Sequence, residues 1–239
     1  MSCLDALTSI IVIQSCDAEV YRPMLDAAGP SVRDYCGRHG YHYEAYVGIK
    51  RGFAPRHAAF NRIYLLIDAV KSGLHDWALY LDVDCYVVDS ATRLETIINE
   101  NPQKAFVFCR GKRDEALFDF NNGAFFVNLR HPRTLDVLTE WKDGFESIWT
   151  AEKLALWTEW SAGLLGAPGD QRILQGIVRS RLEQGENVAS WLKVYDGDEW
   201  QRFNYSGPFV RQCLRSTGLD VPGRVTQIKA DLAGLQSDI

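Results

Sequence analysis

The sequence lacks a surplus of positive charge: 31 aspartates and glutamates outnumber 26 lysines and arginines, for a formal net charge of −5. A protein that grips nucleic acid presents a basic face, so that class is excluded early. Long apolar runs are also missing. Near the N-terminus only residues 10–13 are continuously apolar, no basic stretch precedes them, and Asp5 stands where one would be. This is neither a secretory signal nor a membrane span, which takes about 20 apolar residues. Paired cysteines are missing as well. Cys3, Cys16, Cys36, Cys85, Cys109 and Cys213 show no C-x-x-C spacing, which argues against zinc and for reduced thiols in a cytoplasmic compartment. Internal repeats and low-complexity tracts are absent. What remains is 239 residues, 46 % hydrophobic and 24 % charged. That balance can bury a real core, and it excludes a disordered chain or a disulfide-stapled small scaffold.

Strand-like and helix-like segments alternate along the first half. Residues 9–14 form a β-branched run suited to a buried strand, 41–47 alternate as a second, 77–81 are a continuous apolar third, and 86–88 a fourth. Helices are predicted over 32–38, after a polar stretch carrying Pro23 and Pro30, and over 92–99. Between these lies a longer one over 56–72, where Phe60, Ile63, Ile67 and Val70 share a face and Gly73 stops the helix. Two further apolar runs, 105–109 and 124–129, flank a charged loop over 110–119. Later helices are expected over 134–141, from Asp170 onward with Ile173, Leu174, Ile177, Val178 and Leu182 on one face, and near 226–235; residues 163–169 read as a loop. Such alternation with buried strands predicts an α/β fold: a mostly parallel central sheet with helices on both faces. No linker-like stretch divides residues 1–239, so one domain is expected.

The third strand ends abruptly in Asp82-Val83-Asp84. In an extended chain Asp82 and Asp84 point to the same side, just past the carboxyl end of a buried strand, where open α/β sheets bind ligands. Two carboxylates that close repel each other unless a cation neutralises them. A hard divalent ion with oxygen ligands does so and bridges to a diphosphate. The plain alternative is a polar loop whose aspartates cap the next turn. Arg62, in the first turns of its helix, would suit an anion at the same edge, as would Arg56 and His57, although a solvated arginine is equally compatible with the sequence. Asn121, Asn122 and Gly123 stand just before a strand, as a hairpin turn or as part of a site. Asp170 is either a helix cap or functional. Of the tryptophans gathered before its helix, Trp141 reads as core; Trp149, Trp157 and Trp160 are open between core and a platform for a sugar acceptor.

With these residues in view, the chain resembles the GT-A-fold nucleotide-sugar glycosyltransferases, in particular the yeast- and plant-type galactosyl/mannosyltransferases and the retaining glycogenin-like group. Four segments fall in that family's order over about residues 10–181. They are the helix with Phe60-Asn61-Arg62-Ile63-Tyr64, the D-x-D motif Asp82-Val83-Asp84, the N-x-G-hydrophobic strand Phe120-Asn121-Asn122-Gly123-Ala124-Phe125-Phe126-Val127-Asn128, and Gly169-Asp170-Gln171 before an apolar helix. The resemblance implies a GT-A-like domain, with a nucleotide-binding half at about 8–100 and a donor-sugar and acceptor half at about 104–239. Its activity would be transfer of a hexose from a nucleotide-diphosphate sugar to a sugar-bearing or other small acceptor, with retention. A Mn²⁺ or Mg²⁺ ion acting as Lewis acid on the leaving diphosphate would be held by Asp84 and, on the nucleotide side, Asp82.

The same resemblance assigns Arg62, Asn121, Asn122 and Gly123 to the donor, Asp170 to its sugar, and Gln171 to the neighbourhood of the reactive carbon. Retaining members also use a late histidine as third metal ligand. No histidine follows His131 here, and Asn204, within Phe203-Asn204-Tyr205-Ser206-Gly207-Pro208, is the substitute the alignment of motifs suggests. Two other readings stay open. One is a sugar-nucleotide-binding protein without turnover, suggested by the missing histidine. The other is a haloacid-dehalogenase-type phosphatase, which also carries D-x-D after a buried strand. Against the phosphatase, the motif stands at 82 rather than near the N-terminus, Tyr86 replaces the usual Thr or Val, and only Asp196 and Asp198 could serve as late acids.

Overall fold

The first strand, β1 (Ile10–Cys16), is one in which every residue is buried. Its side chains alternate between two cores: Ile11 and Ile13 enter one, Ile10 and Val12 the other, as the two-residue period of a strand covered on both faces requires. The computed structural model describes residues 8–111, 116–157 and 167–237; Cys3, Trp160 and residues 163–166 of the expected loop lie outside them.

Around β1 the sheet is built from β2 (His42–Val47), β3 (Trp77–Asp82), β5 (Phe106–Arg110), β6 (Phe120–Asn128) and β7 (Leu192–Tyr195), in the order β2-β1-β3-β6-β5-β7. The β1–β2, β1–β3 and β5–β7 pairs are parallel, while β6 is antiparallel to both its neighbours. Five strands thus share one direction. Helices α2 (Asn61–Ser72), α4 (Pro132–Ile148) and α6 (Asp170–Glu183) cover one face; α1 (Arg22–His39) and α3 (Leu94–Glu100) cover the other. The short α5 (Ala151–Leu156) follows α4. A separate two-stranded ribbon, β4 (Cys85–Val87) with β8 (Val210–Gln212), lies beyond the end of β3. The last helix, α7 (Val221–Ser237), packs on α1 and β4 through Met24, Ala28, Tyr86 and Ile228. Among the described residues no helix is long and apolar enough to cross a membrane.

Four local expectations are corrected. Helix α1 starts ten residues before the expected Val32, because Pro23 falls in its first turn, where a missing N–H costs nothing. Pro30 stands inside it, outweighed by the buried face of Met24, Leu25, Ala28, Val32 and Tyr35. The stretch 56–72 is two elements, a 3₁₀ turn (Pro55–Phe60) leading into α2, with Gly73 at φ 62° ending it as expected. Asn121, Asn122 and Gly123 are not a hairpin turn. They lie within β6, where the register against β5 jumps between Phe108 and Cys109: Phe108 faces Phe125 but Cys109 faces Asn121. Residues 122–124 are therefore extra on one strand, a bulge of the kind that re-aims side chains. The N-cap of α6 is Gly169, so Asp170 is the first helical residue and its carboxylate is not a cap.

Candidate active site

A cleft of about 370 Å³ opens beyond the carboxyl ends of β1 and β3. Its walls include Asp82, Asp84, Asn122 and Asp170 together with Arg56, Arg62, Arg215 and Arg224. The D-x-D aspartates come together by a route other than simple alternation: β3 ends at Asp82, and Val83 and Asp84 form a turn before β4. Both carboxylates nevertheless reach one amide. Gln212 Nε2, on β8 opposite Cys85, donates to Asp84 Oδ1 at 3.0 Å and Asp82 Oδ2 at 3.3 Å. Gly123 makes room for it, because a Cβ there would stand 2.5 Å from Gln212 Nε2.

Arg62 is not a solvated side chain. It is buried at the start of α2, pairs with Asp82 at 2.6 Å and Asp170 at 3.2 Å, and donates to the Asn122 carbonyl. Asp170 Oδ2 also accepts from Asn122 Nδ2 at 2.7 Å. The bulge in β6 is what turns both groups of Asn122 toward this hub. Gln171 supports the wall from behind: its Oε1 accepts from Asn122 N at 3.2 Å, and it does not line the cleft. Asn121 and Gly123 do not line it either; Asn121 Oδ1 accepts from the Gly123 N–H at 2.6 Å.

Asn204 is not brought to the site. Buried in a loop, it spends its side-chain oxygen on the Tyr205 N–H at 2.7 Å. The tryptophans left open also resolve: Trp149 and Trp157 are buried with Phe60 in the aromatic core rather than presented to an acceptor. Trp149 Nε1 donates to the Pro168 carbonyl at 3.0 Å, and Trp141 Nε1 to the Asp170 carbonyl at 2.9 Å, so two core indoles position the start of α6.

Electrostatically the aspartates are crowded. Burial pushes Asp82 up to about 7; Arg62 pulls the other way, and Asp84 and Asp170 add to the rise. Burial also raises Asp84 against the pull of Arg224. That partner was not legible in the sequence. Arg224, near the start of α7 and itself buried, pairs with Asp84 Oδ2 and donates through Nε to the Cys213 carbonyl at 2.8 Å. The four carboxylate oxygens of Asp82 and Asp84 therefore each already accept from a guanidinium or an amide. Among the described residues no group of three or more His, Cys, Asp or Glu side chains is placed to hold a metal ion. A dication would enter between two guanidinium groups, so this donor set does not fit one. The phosphatase alternative fares no better: Asp82 is held by Arg62 rather than free to attack, and Asp196 pairs with Arg110 at 2.9 Å, outside the cleft lining.

No protein-family model matches the sequence, and no curated protein does. Solved structures do. A glycosyltransferase involved in glycosylation of the major capsid of PBCV-1 superposes with a TM-score of 0.62 at 17 % identity, over 93 % of this chain and 99 % of that one. The chain has a GT-A fold. The apo form of the glycosyltransferase GlyE of Streptococcus pneumoniae TIGR4 aligns with a TM-score of 0.50 at 14 % identity, over 92 % of this chain and 63 % of that one, so the chain spans less than two thirds of that protein's length.

Gln212, Arg215 and Arg224, which line this GT-A cleft, escaped the sequence reading. Arg224 stands four residues after Asp220, the loop-end acceptor of the Gly223 N–H, in a stretch with no motif. A cation with an apolar helical face behind it was the available signal, and it is a weak one.

Proposed function

We propose that the chain transfers a sugar from a nucleoside-diphosphate donor to a sugar-bearing or other small acceptor, with the donor diphosphate in the cleft beyond β1 and β3. The observation that carries this reading is the meeting, in a GT-A fold, of Asp82, Asp84, Asn122 and Asp170 with four arginines in one cavity. The volume falls in the range of small-molecule sites. Four arginines against three aspartates favour a polyanion, and guanidinium forks match phosphate oxygens two at a time. As the sugar leaves, charge builds on the diphosphate, and preorganised cations stabilise it most at that moment.

The nucleoside is assigned to the side of residues 8–100, and the sugar to the wall made by β6 and α6. There the Asn122 carboxamide can both donate and accept, while the Asp170 carboxylate accepts from sugar hydroxyls and keeps its contact to Arg62. Hexose transfer and retention come with the resemblance. So does a divalent cation, but the ion pairs of Asp82 and Asp84 speak against one, and no step is routed through a metal.

A panel of UDP-, GDP- and ADP-sugars, screened by thermal shift and by release of nucleoside diphosphate, tests the reading. A true donor at 100 times Kd should add about 2.7 kcal/mol of stability, and slow hydrolysis should accompany it. Asp170→Asn keeps an acceptor for Asn122 and leaves the Gly169 cap in place. It should melt within a few degrees of the native chain and lose about a hundredfold or more in turnover. Stabilisation without any turnover would favour the inactive binding protein; no stabilisation by any sugar nucleotide would remove the glycosyltransferase reading.

A further inference from the structure

We infer that this cleft binds its diphosphate without a metal ion: Arg224 supplies the positive charge that Asp84 requires, and Arg215 beside it faces the phosphate. The inference takes its ligand from the donor reading above.

Two observations fill the place a bridging ion would take. The first is Arg224 itself. Its guanidinium is held at two points, Asp84 Oδ2 and the Cys213 carbonyl, and both members of the ion pair are buried. Separating a buried pair strands a charge, so the pair persists rather than yielding to a competing cation. The second is Gln212, whose Nε2 lies between the two carboxylates, within hydrogen-bond reach of both.

The elements that carry these residues are fixed by packing outside the cleft. Strand β8 pairs with β4 residue by residue, placing Gln212 opposite Cys85. Helix α7 is pinned over β4 by Ile228 in the small core and by Tyr86 Oη, which donates to Asp231 Oδ2 at 2.5 Å. Arg224 is therefore preorganised. Between these elements the exposed 3₁₀ turn Arg215–Thr217 presents Arg215 to the cleft, with one guanidinium nitrogen donating to Tyr21 Oη at 3.0 Å. Arg224 is engaged on Asp84 and Arg62 on Asp82 and Asp170, and Arg215 and Arg56 line the same cavity. They lie on opposite sides of the D-x-D turn in sequence and on one cavity in space, where two phosphates would span them.

The test is calorimetric titration of UDP, GDP, ADP and inorganic pyrophosphate into the full chain, in EDTA and with Mn²⁺. It is paired with the loss of the free-Mn²⁺ paramagnetic resonance signal as a measure of metal binding alone. The expected result is an affinity unchanged within about twofold by Mn²⁺, no Mn²⁺ bound by the protein, and at least about a tenfold loss of anion affinity in Arg215→Gln. Arg224→Gln strands a buried carboxylate and can cost the fold, so the native chain and Arg215→Gln carry the test. Tightening by Mn²⁺ of about tenfold or more, or Mn²⁺ bound by the native chain alone, overturns the inference and leaves the donor reading standing. Unchanged affinity in Arg215→Gln also overturns it. Pyrophosphate binding in EDTA without binding of any nucleoside diphosphate supports the cationic wall and overturns the donor reading; no binding of either anion overturns both.

Discussion

The two walls of the cleft hold their carboxylates in different ways. On the β3–β6–α6 side one buried arginine, Arg62, serves two carboxylates and a backbone carbonyl, so its charge is consumed within the wall. On the β4–β8–α7 side Arg224 serves one carboxylate, with Arg215 added on an exposed turn. The first arrangement is a frame: it fixes Asp82, Asn122 and Asp170 relative to one another but leaves no surplus of charge. The second sets Arg224 and Arg215 on the cleft beside one carboxylate. One wall fixes the motif carboxylates relative to one another, and the other adds cations to the cleft.

The largest effect that can break this comparison is Arg62→Ala. It strands two carboxylates where Arg224→Ala strands one, and removing one partner of a buried pair typically costs about 3–5 kcal/mol. Denaturant unfolding should place Arg62→Ala at or above the top of that range and Arg224→Ala below it. The reverse order would mean that Arg224, not Arg62, is the hub.

A smaller effect is expected from Gly123→Ala. Its Cβ would stand 2.5 Å from the Gln212 amide and 2.9 Å from Asn121 Oδ1. Both are side-chain ends that can shift, so the cost should stay within the about 1–3 kcal/mol of an overpacked site. The amide that bridges the walls would be displaced, however, and nucleoside-diphosphate affinity should fall with it. Full affinity with Gln212 displaced would mean that the two walls do not need their bridge.

The smallest effect concerns the foundation of the Arg62 wall. His57, buried in the turn that leads into α2, accepts from the Phe53 and Ala54 N–H groups at Nδ1 (3.0 and 3.1 Å), and its Nε2 meets the Trp157 carbonyl at 2.9 Å. That arrangement needs a neutral ring, with the proton on Nε2. Burial lowers the His57 pKa below its ordinary 6.5, the Trp157 carbonyl opposing and Arg56 reinforcing the shift. A lowered folded value means that the stabilisation is complete above the unfolded pKa and is lost as pH falls through the folded one. The melting temperature should therefore hold above about pH 6.5 and decline on acidification below it; His57→Gln should remove part of that decline. An acid limb unchanged in the variant would assign it to the carboxylates instead.

Much of the frame was legible in the sequence. Five of the six sheet strands and the end of α2 follow from apolar runs, one alternating segment and a glycine stop, because those signals act between neighbours in the chain. The D-x-D pair, Arg62 and Asp170 were legible as candidates from order and spacing. The role of Asn122 was half legible. Asn-Gly reads locally as a turn, and only pairing with β5 converts the same residues into a bulge inside a strand. Gln171 and Asn204 show the opposite failure: each matches a motif position, yet each turns its amide oxygen to a backbone N–H rather than to the cleft.

By itself the sequence determined the alternation of strands and helices, the two-faced burial of β1 and the order of the motif segments. All of these are set by periodicities of two and about 3.6 residues along a continuous chain. Only the tertiary structure decided which charges meet. Asp84 and Arg224 are 140 positions apart, joined because β8 pairs with β4 and α7 packs against α1. Coulomb energy depends on distance in space and on burial, and neither is a function of distance along the chain.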